Sequence, residues 1–476
     1  MSIGRVISRL AAQDPQRPSI TCDGERLTRR ELDLRTNRLA RAYAAVGVGE
    51  DDRVTIALPN GIAFFEAAIA VWKLGATVQP VSSKLPRMER EAIIELAESK
   101  LVIGAPAGEC AGRPSLRPDF VPDMAISDAP LPDRVSRHWK APTSGGSTGR
   151  PKIILSQQGG DVDIDQIRKP LTQLVAGPLY HNGPFVMSMR GLFAGDHLIV
   201  MKRFDAEGAL KLMEEHKVEF VMMVPTMMQR IWRLGEEVRS RYDLSSLKRI
   251  LHMAAPCPAW LKEAFIEWLG PERVNELYAG TESQGVTMIS GAEWLEHRGS
   301  VGKAVGGSKI KVLDEAGREL APGEVGEVFM MPRGGQGSTY RYLGAKAREH
   351  DGYESLGDMG YLDVDGYLYL TDRRADMILS GGANIYPAEV EAAIDAHPAV
   401  RSSAVVGLPH ADLGQAVHAI VDIADNSLDE GELLGHLANH LARYKAPRTL
   451  EFVREPLRDD AGKVRRSALR AARAGY

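Results

Sequence analysis

Residues 143–152 read Thr-Ser-Gly-Gly-Ser-Thr-Gly-Arg-Pro-Lys, with three glycines and four hydroxyl residues in the first seven positions. Thr143, Ser144, Ser147 and Thr148 offer hydroxyl donors, while Gly145, Gly146 and Gly149 leave backbone N–H groups open to a ligand. Such a loop can wrap a phosphate, and Lys152 adds charge. The Walker pattern GxxxxGK followed by Ser or Thr cannot be placed on it, nor can the Rossmann GxGxxG. Residues 145–149 do match GxSxG, the nucleophile elbow of a serine hydrolase, with Ser147 as nucleophile. That motif needs a buried strand before the serine and a helix after it. Here residues 137–142 (Arg-His-Trp-Lys-Ala-Pro) are polar and broken, and residues 151–155 (Pro-Lys-Ile-Ile-Leu) resemble a strand. Phosphate binding is the favoured reading; the elbow and a plain Gly/Ser surface loop compete with it.

The elements that must position this loop alternate in period. Residues 28–46 read as a helix with Leu32, Leu39 and Tyr43 on one face and Thr28 as N-cap. A strand at 53–58, a helix at 63–74, a strand at 77–81, a helix at 88–98 and a strand at 101–104 come next. A helix at 206–216 and a strand at 218–224 repeat the pattern. This alternation predicts an α/β fold with doubly wound, mostly parallel sheets. The texture changes near 370. Residues 361–370 read as a hairpin turning at Asp365-Gly366, then come a helix at 388–396 opened by Pro387, strands at 403–406 and 416–423 and a helix at 430–443. We expect a large domain over 1–372 and a small α+β domain over 373–476.

Composition narrows the partners. Fifty-nine Lys and Arg against 63 Asp and Glu leave a net charge of −4, which argues against a nucleic-acid partner. Cys22, Cys110 and Cys257 are far apart and have no CxxC spacing, which excludes a disulfide framework or an ordinary zinc site and fits a cytoplasmic location. The longest apolar run, 62–78, contains Glu66 and Lys73, so no membrane span is expected.

Further stretches occur in order: Ala254-Ala-Pro256, Leu277-Tyr-Ala-Gly-Thr-Glu-Ser283, Ser355-Leu-Gly-Asp358, Ser380-Gly-Gly-Ala-Asn-Ile-Tyr-Pro387 and Asp459-Asp-Ala-Gly-Lys463. Together with residues 143–152 they resemble the motifs of the acyl-adenylate-forming superfamily, over essentially the whole chain. The two-glycine loop and residues 178–185 (Pro-Leu-Tyr-His-Asn-Gly-Pro-Phe) are similar to bile acid–CoA ligases and other ligases of bulky polycyclic acids.

The resemblance implies roles for particular residues. ATP would be held by residues 143–149 and Lys152, with adenine against Ala255, Pro256, Tyr278, Ala279 and Gly280. Thr281 would bond a phosphate, and Glu282, a hard oxygen ligand, would take Mg2+. Asp358 and Arg373 would clamp the ribose, and Lys463 would stabilise charge building on the α-phosphate during adenylation. Gly381 and Gly382 would leave a slot for the pantetheine arm of coenzyme A, whose phosphates Lys445 could meet. His181, Asn182, Met187 and Gly280 would face the acyl group, with Met222, Met223, Met227 and Met228 supplying soft apolar surface. Read locally instead, Asp358 is a turn aspartate, Thr281-Glu282 a helix cap, and residues 441–476 a solvated cationic tail with ten Lys and Arg against four Asp and Glu.

Two positions depart from the family pattern. Ala375 stands where the hinge between domains usually carries Asp or Lys, and Leu356 replaces a threonine before Gly357-Asp358. Either change could weaken adenylation. The expected activity is an AMP-forming acyl-CoA ligase for a bulky polycyclic or alicyclic acid, with CoA as acceptor and a homodimer left open. Its rivals are an enzyme that only thioesterifies supplied acyl-AMP, a serine hydrolase using Ser147, a catalytically silent nucleotide-binding protein, and an adenylation domain that loads a carrier protein.

Overall fold

The computed structural model describes residues 1–145, 151–373, 376–380, 383–423, 428–459 and 462–473. Local sequence decides where the first helices start. Ser2 caps helix Ile3–Gln13 by accepting from the Arg5 N–H, and Thr28 caps helix Arg29–Ala45 in a reciprocal box with Glu31. These caps satisfy backbone donors that the helix itself leaves open. Helix Ile62–Lys73 is apolar nearly all round and lies in the core against Arg29–Ala45. Its two charges are buried and answered from that neighbour. Glu66 lies 2.5 Å from Arg35, and the Lys73 ammonium donates at 2.6 Å to both Asp33 and Asn37. From the same helix the Trp72 indole donates at 2.7 Å to the Trp139 carbonyl, which pins the chain just ahead of residues 143–152.

Four parallel strands form one sheet in the order Thr77–Pro80, Arg53–Ile56, Leu101–Ile103, Ser115–Leu116. A larger sheet has a parallel half, in the order Val274–Ala279, Arg249–Met253, Phe220–Met223, Thr172–Val175, His197–Val200, Pro18–Cys22. Beyond Val274–Ala279 it continues antiparallel through Val286–Ser290, Ser300–Ala304, Leu368–Arg373 and Asp358–Leu362. The fold is therefore α/β with largely parallel, helix-covered sheets, and the antiparallel half is a feature that the alternation of periods did not foretell. A third, antiparallel sheet joins Tyr340–Leu343, Pro151–Ser156 and Thr143–Gly145.

The C-terminal strands form a separate five-stranded sheet around the long pair Val400–His410 and Gly414–Ile423, with helix Pro387–Asp395 packed on it. Its apolar cluster draws only on residues between Ile378 and Phe452, so this unit has its own core. The helix expected over 430–443 ends at Ala438. Asn439 caps it, turning its side-chain amide onto the Gly435 carbonyl at 3.3 Å, and Arg443–Lys445 forms a separate 3-10 turn.

Burial pushes the Glu66 carboxyl up to about 7, against a partial lowering by Arg35. The folded chain then holds a proton that an unfolded glutamate, at 4.5, has already lost, so stability falls as pH rises through that window. Glu66→Gln is expected to flatten the Tm-against-pH curve there, removing a slope worth on the order of 3 kcal/mol. An unchanged slope would show that Arg35 keeps the carboxylate ionised throughout.

Candidate active site

The candidate phosphate loop is flanked by two paired strands. Strands Thr143–Gly145 and Pro151–Ser156 pair antiparallel, with Ser144 opposite Lys152 and Gly145 opposite Pro151. Gly146, Ser147, Thr148 and Gly149 lie outside the described residues, as does the side chain of Ser144. The next described element after Ser147 is a strand, so the helix that a nucleophile elbow requires is missing among the described residues. The hairpin brings Lys152 to a polar cluster. Its ammonium donates to the Tyr342 hydroxyl at 2.9 Å and approaches Glu282 Oε1 at 3.4 Å, while Tyr342 donates to that same oxygen at 2.7 Å. Tyr342 arrives on Tyr340–Leu343, the strand paired with Pro151–Ser156. Burial, and then the Glu282 charge, raise the Tyr342 phenol far above its usual range, which keeps it a donor at neutral pH. The Glu282 carboxylate is buried, and one hard carboxylate is what Mg2+ commonly takes from a protein when phosphates and waters complete its shell. Glu282, Lys152 and Tyr342 thus fit a Mg2+–phosphate group.

Thr281 and Glu282 come just after the end of strand Val274–Ala279, where Tyr278 donates to Asp358 Oδ2 at 2.7 Å. Asp358 opens Asp358–Leu362, and the register sets Arg373 directly opposite it, so both candidate ribose residues meet on paired strands. The Arg373 side chain is outside the described residues. At Gly280 a Cβ would lie 2.3 Å from Leu356 Cδ1, so Leu356 fills the space that the glycine leaves. The departure at 356 is thus a packed contact as well as a lost hydroxyl. Ala255 and Pro256 lie beyond strand Arg249–Met253 after Ala254, which is held in the left-handed region at φ 76°.

The C-terminal unit reaches the same edge. Buried Gly462 sits against the start of helix Pro225–Trp232, where a Cβ would lie 3.0 Å from Thr226 Oγ1. The turn is tied by the Lys463 N–H donating to Asp459 Oδ1 at 2.9 Å, one residue beyond the glycine that meets Thr226. Lys445 is engaged by Glu389 at 2.6 and 2.7 Å, a pair that raises its pKa. Gly381, Gly382 and Ala375 lie outside the described residues. Asp376, next to Ala375, pairs with Arg466 at 3.3 Å, so a charge missing at the hinge position is present one residue on.

At the acyl side His181 precedes helix Asn182–Ala194, its ring 4.4 Å from that of Tyr180. Met187 is half-buried on that helix. Of the four methionines around Pro225, all are buried in the core, and Met222 also reaches this helix: a Cβ at Gly183 would lie 3.0 Å from its methyl and 3.2 Å from Met253 Sδ. Asn182 Oδ1 accepts from the buried Lys140 ammonium at 2.6 Å. The sequence reading missed Lys140, Arg190, Thr226 and Tyr342. Only the last carried a signal, as a tyrosine in an alternating strand pattern at 340–343.

Residues 7–337 match the family of AMP-binding enzymes, and residues 389–463 match the AMP-binding enzyme C-terminal domain. The chain is 32% identical over 97% of its length to a feruloyl-CoA synthase of Amycolatopsis sp, covering 97% of that protein. It is 29% identical to a 2-succinylbenzoate–CoA ligase of Bacillus licheniformis, over 97% of this chain and 98% of the other. It resembles the solved o-succinylbenzoate CoA synthetase of Bacillus subtilis in complex with its acyl-adenylate, with TM-score 0.84, 25% identity and coverage of 98% and 97%. The same enzyme with ATP and magnesium matches at TM-score 0.83 and 25% identity, covering 98% of each chain.

The contact at Gly280 is testable by itself. Gly280→Ala is expected to destabilise by about 1–3 kcal/mol through overpacking. Combining it with Leu356→Ala should recover part of that loss in a thermal-unfolding double-mutant cycle. Strict additivity would break the proposed contact.

Proposed function

The chain belongs to the family of AMP-binding enzymes, and from that premise we propose that it is an AMP-forming acyl-CoA ligase for a bulky alicyclic or polycyclic acid. A carboxylate oxygen of the acid attacks the α-phosphorus of ATP, forming acyl-AMP as pyrophosphate leaves. The CoA thiol then attacks the acyl carbon, giving the thioester and AMP. The acid is already ionised at neutral pH, so geometry and charge neutralisation carry the first step.

The hairpin loop 143–149 and Lys152 hold the triphosphate. Ala255, Pro256, Ala279 and Gly280 flank the adenine on which Tyr278 stacks, and Asp358 and Arg373 take the ribose. Glu282 would hold Mg2+, which when bound neutralises phosphate charge, and Thr281 bonds a phosphate oxygen. Lys463 stabilises charge developing on the α-phosphate. A first domain, 1–372, binds ATP and acid. A second, 373–476, brings Lys463 and, for the second step, Gly381, Gly382 and Lys445 toward CoA. His181, Asn182 and Met187 meet the acyl group.

The observation that carries this reading is the Gly462 turn seated on Thr226, which supports an arrangement with Lys463 at the ends of the parallel strands. The ring-bearing acids in the names of the feruloyl and 2-succinylbenzoate enzymes, with the soft Met222–Met253 wall, support a bulky substrate.

Acid-dependent ATP–pyrophosphate exchange tests it, over a panel from short and fatty acids to ring-fused carboxylates. Exchange is expected with bulky ring acids. Lys463→Ala should depress it about a hundredfold or more while thioester formation from supplied acyl-AMP and CoA survives. Exchange at the unmodified rate in the Lys463 variant would remove that residue from the step. A silent panel would sink adenylation.

A further inference from the structure

Lys140 has no part in the chemistry assigned so far, yet its setting is unusual. Its backbone is clamped on both sides: the Ala141 N–H donates to the Val78 carbonyl at 2.8 Å, and the Ser156 N–H donates to the Lys140 carbonyl at 3.1 Å. The side chain is 5% exposed. Among the described residues its ammonium, with three N–H donors, hydrogen-bonds only to the neutral Asn182 Oδ1. Asn182 opens the helix whose next residue, Gly183, meets Met222 and Met253 in the acyl wall.

A second cation stands on the same helix. Arg190 lies two turns beyond Gly183, about 10 Å along the axis, and has no hydrogen bond or ion pair among the described residues. It is open to solvent, although loss of surrounding water still lowers its guanidinium. Burial, and then Arg190, bring the Lys140 ammonium down to about 8, while Glu282 raises it. At neutral pH it remains mostly protonated. No hydrogen bond or ion pair joins it to Glu282 among the described residues, and Glu282 Oε1 is engaged by Lys152 and Tyr342. A buried charge is costly unless paired, and elsewhere this chain pairs its buried lysines with carboxylates: Lys73 with Asp33, Lys262 with Glu276, each at 2.6 Å. Lys140 has a neutral amide and the Trp139 ring, 5.5 Å away, around its ammonium, and Arg190 adds a second positive charge that acts on it, so the pair of cations lacks an anion, and the acyl group is what would enter beside them.

We propose that Lys140, with Asn182 and Arg190, receives a second carboxylate on the acyl group, so that the preferred acid is a bulky ring diacid. The inference rests on the adenylation reading for which group reacts. A neutral ketone or hydroxyl would satisfy the Lys140 donors but leave both charges uncompensated, which is why a carboxylate is assigned.

The test uses matched acids: a ring diacid and its half-ester, in which the remote carboxylate is masked. The full chain should favour the diacid in exchange kcat/KM by about tenfold or more, the usual scale of a charged hydrogen bond. Lys140→Met should erase that preference while still turning over the half-ester, and Lys140→Arg should keep part of it. Arg190→Gln, at an open position that folding should tolerate, should weaken it in the same direction. Equal rates for both acids in the unaltered chain would overturn the proposal, as would an equal loss for both acids in Lys140→Met, which would give Lys140 to the reacting carboxylate or to the fold. Calorimetric affinities for the two acids separate this inference from the adenylation reading. Diacid preference in binding, lost in Lys140→Met, would uphold the subsite even if no acid supported exchange. Exchange without any preference would uphold adenylation and reject the subsite.

Discussion

Parallel strands that finish together on one sheet edge are the constraint on which this structure depends. Each crossover returns the chain to the same side, so the segments after successive strands collect at one rim. Four neighbouring strands do this here, ending at Val175, Met223, Met253 and Ala279. The segments after them hold His181, Thr226, Ala254 to Pro256, and Gly280 to Glu282. The same rim is where the sheet turns antiparallel, so strand Asp358–Leu362 can bring Asp358 to the Tyr278 hydroxyl across 80 residues of sequence. The paired strands Thr143–Gly145 and Pro151–Ser156 are outside this sheet and are fixed to it through side chains, by Lys152 and Tyr342 meeting at Glu282.

That cluster shows how the chain manages a buried charge. A buried phenol beside a carboxylate stays protonated and can only donate, so Tyr342 orients Glu282 without competing for a cation as an anion would. Lys152 is held near enough to screen Glu282, yet its ammonium also lies 4.1 Å from the Tyr342 ring, an arrangement that leaves it free to turn toward a stronger anion. Deep in the large unit the pairing is stricter, as with Lys262 and Glu276 of strand Val274–Ala279. Lys140 stands out against that habit.

Much of this was legible in the sequence because it rests on local rules. The Thr28 cap, the helix expected over 63–74 and the alternation of short strands with helices come from residue type and period, and the structure places them within a residue or two. The strand after Pro151 was readable from its β-branched run, and it removes the serine elbow that GxSxG alone allows. What the sequence concealed is tertiary. Residues 137–142 look like a polar, broken connection, yet the Trp72 bond and the bridge to Val78 bury Trp139, Lys140 and Ala141. Nothing local distinguishes Lys140 from a solvated lysine. Likewise Leu356 reads as a lost hydroxyl until Gly280 is found beneath it.

The two units are joined in a way suited to parting. In the small unit, Glu391 gathers Arg458 and Arg466, and Arg466 also holds Asp376, so the charges beside the hinge position are tied within their own unit. Across the boundary, Arg233 of the large unit donates to the main-chain carbonyls of Val400 and Arg401, and the Gly462 turn rests on Thr226. Carbonyls and a hydroxyl can exchange such partners for water at modest net cost, whereas the apolar cluster of the small unit stays closed on itself. Each unit keeps its own core on its side of this polar seam, so exchanging the partners at the seam leaves both cores intact.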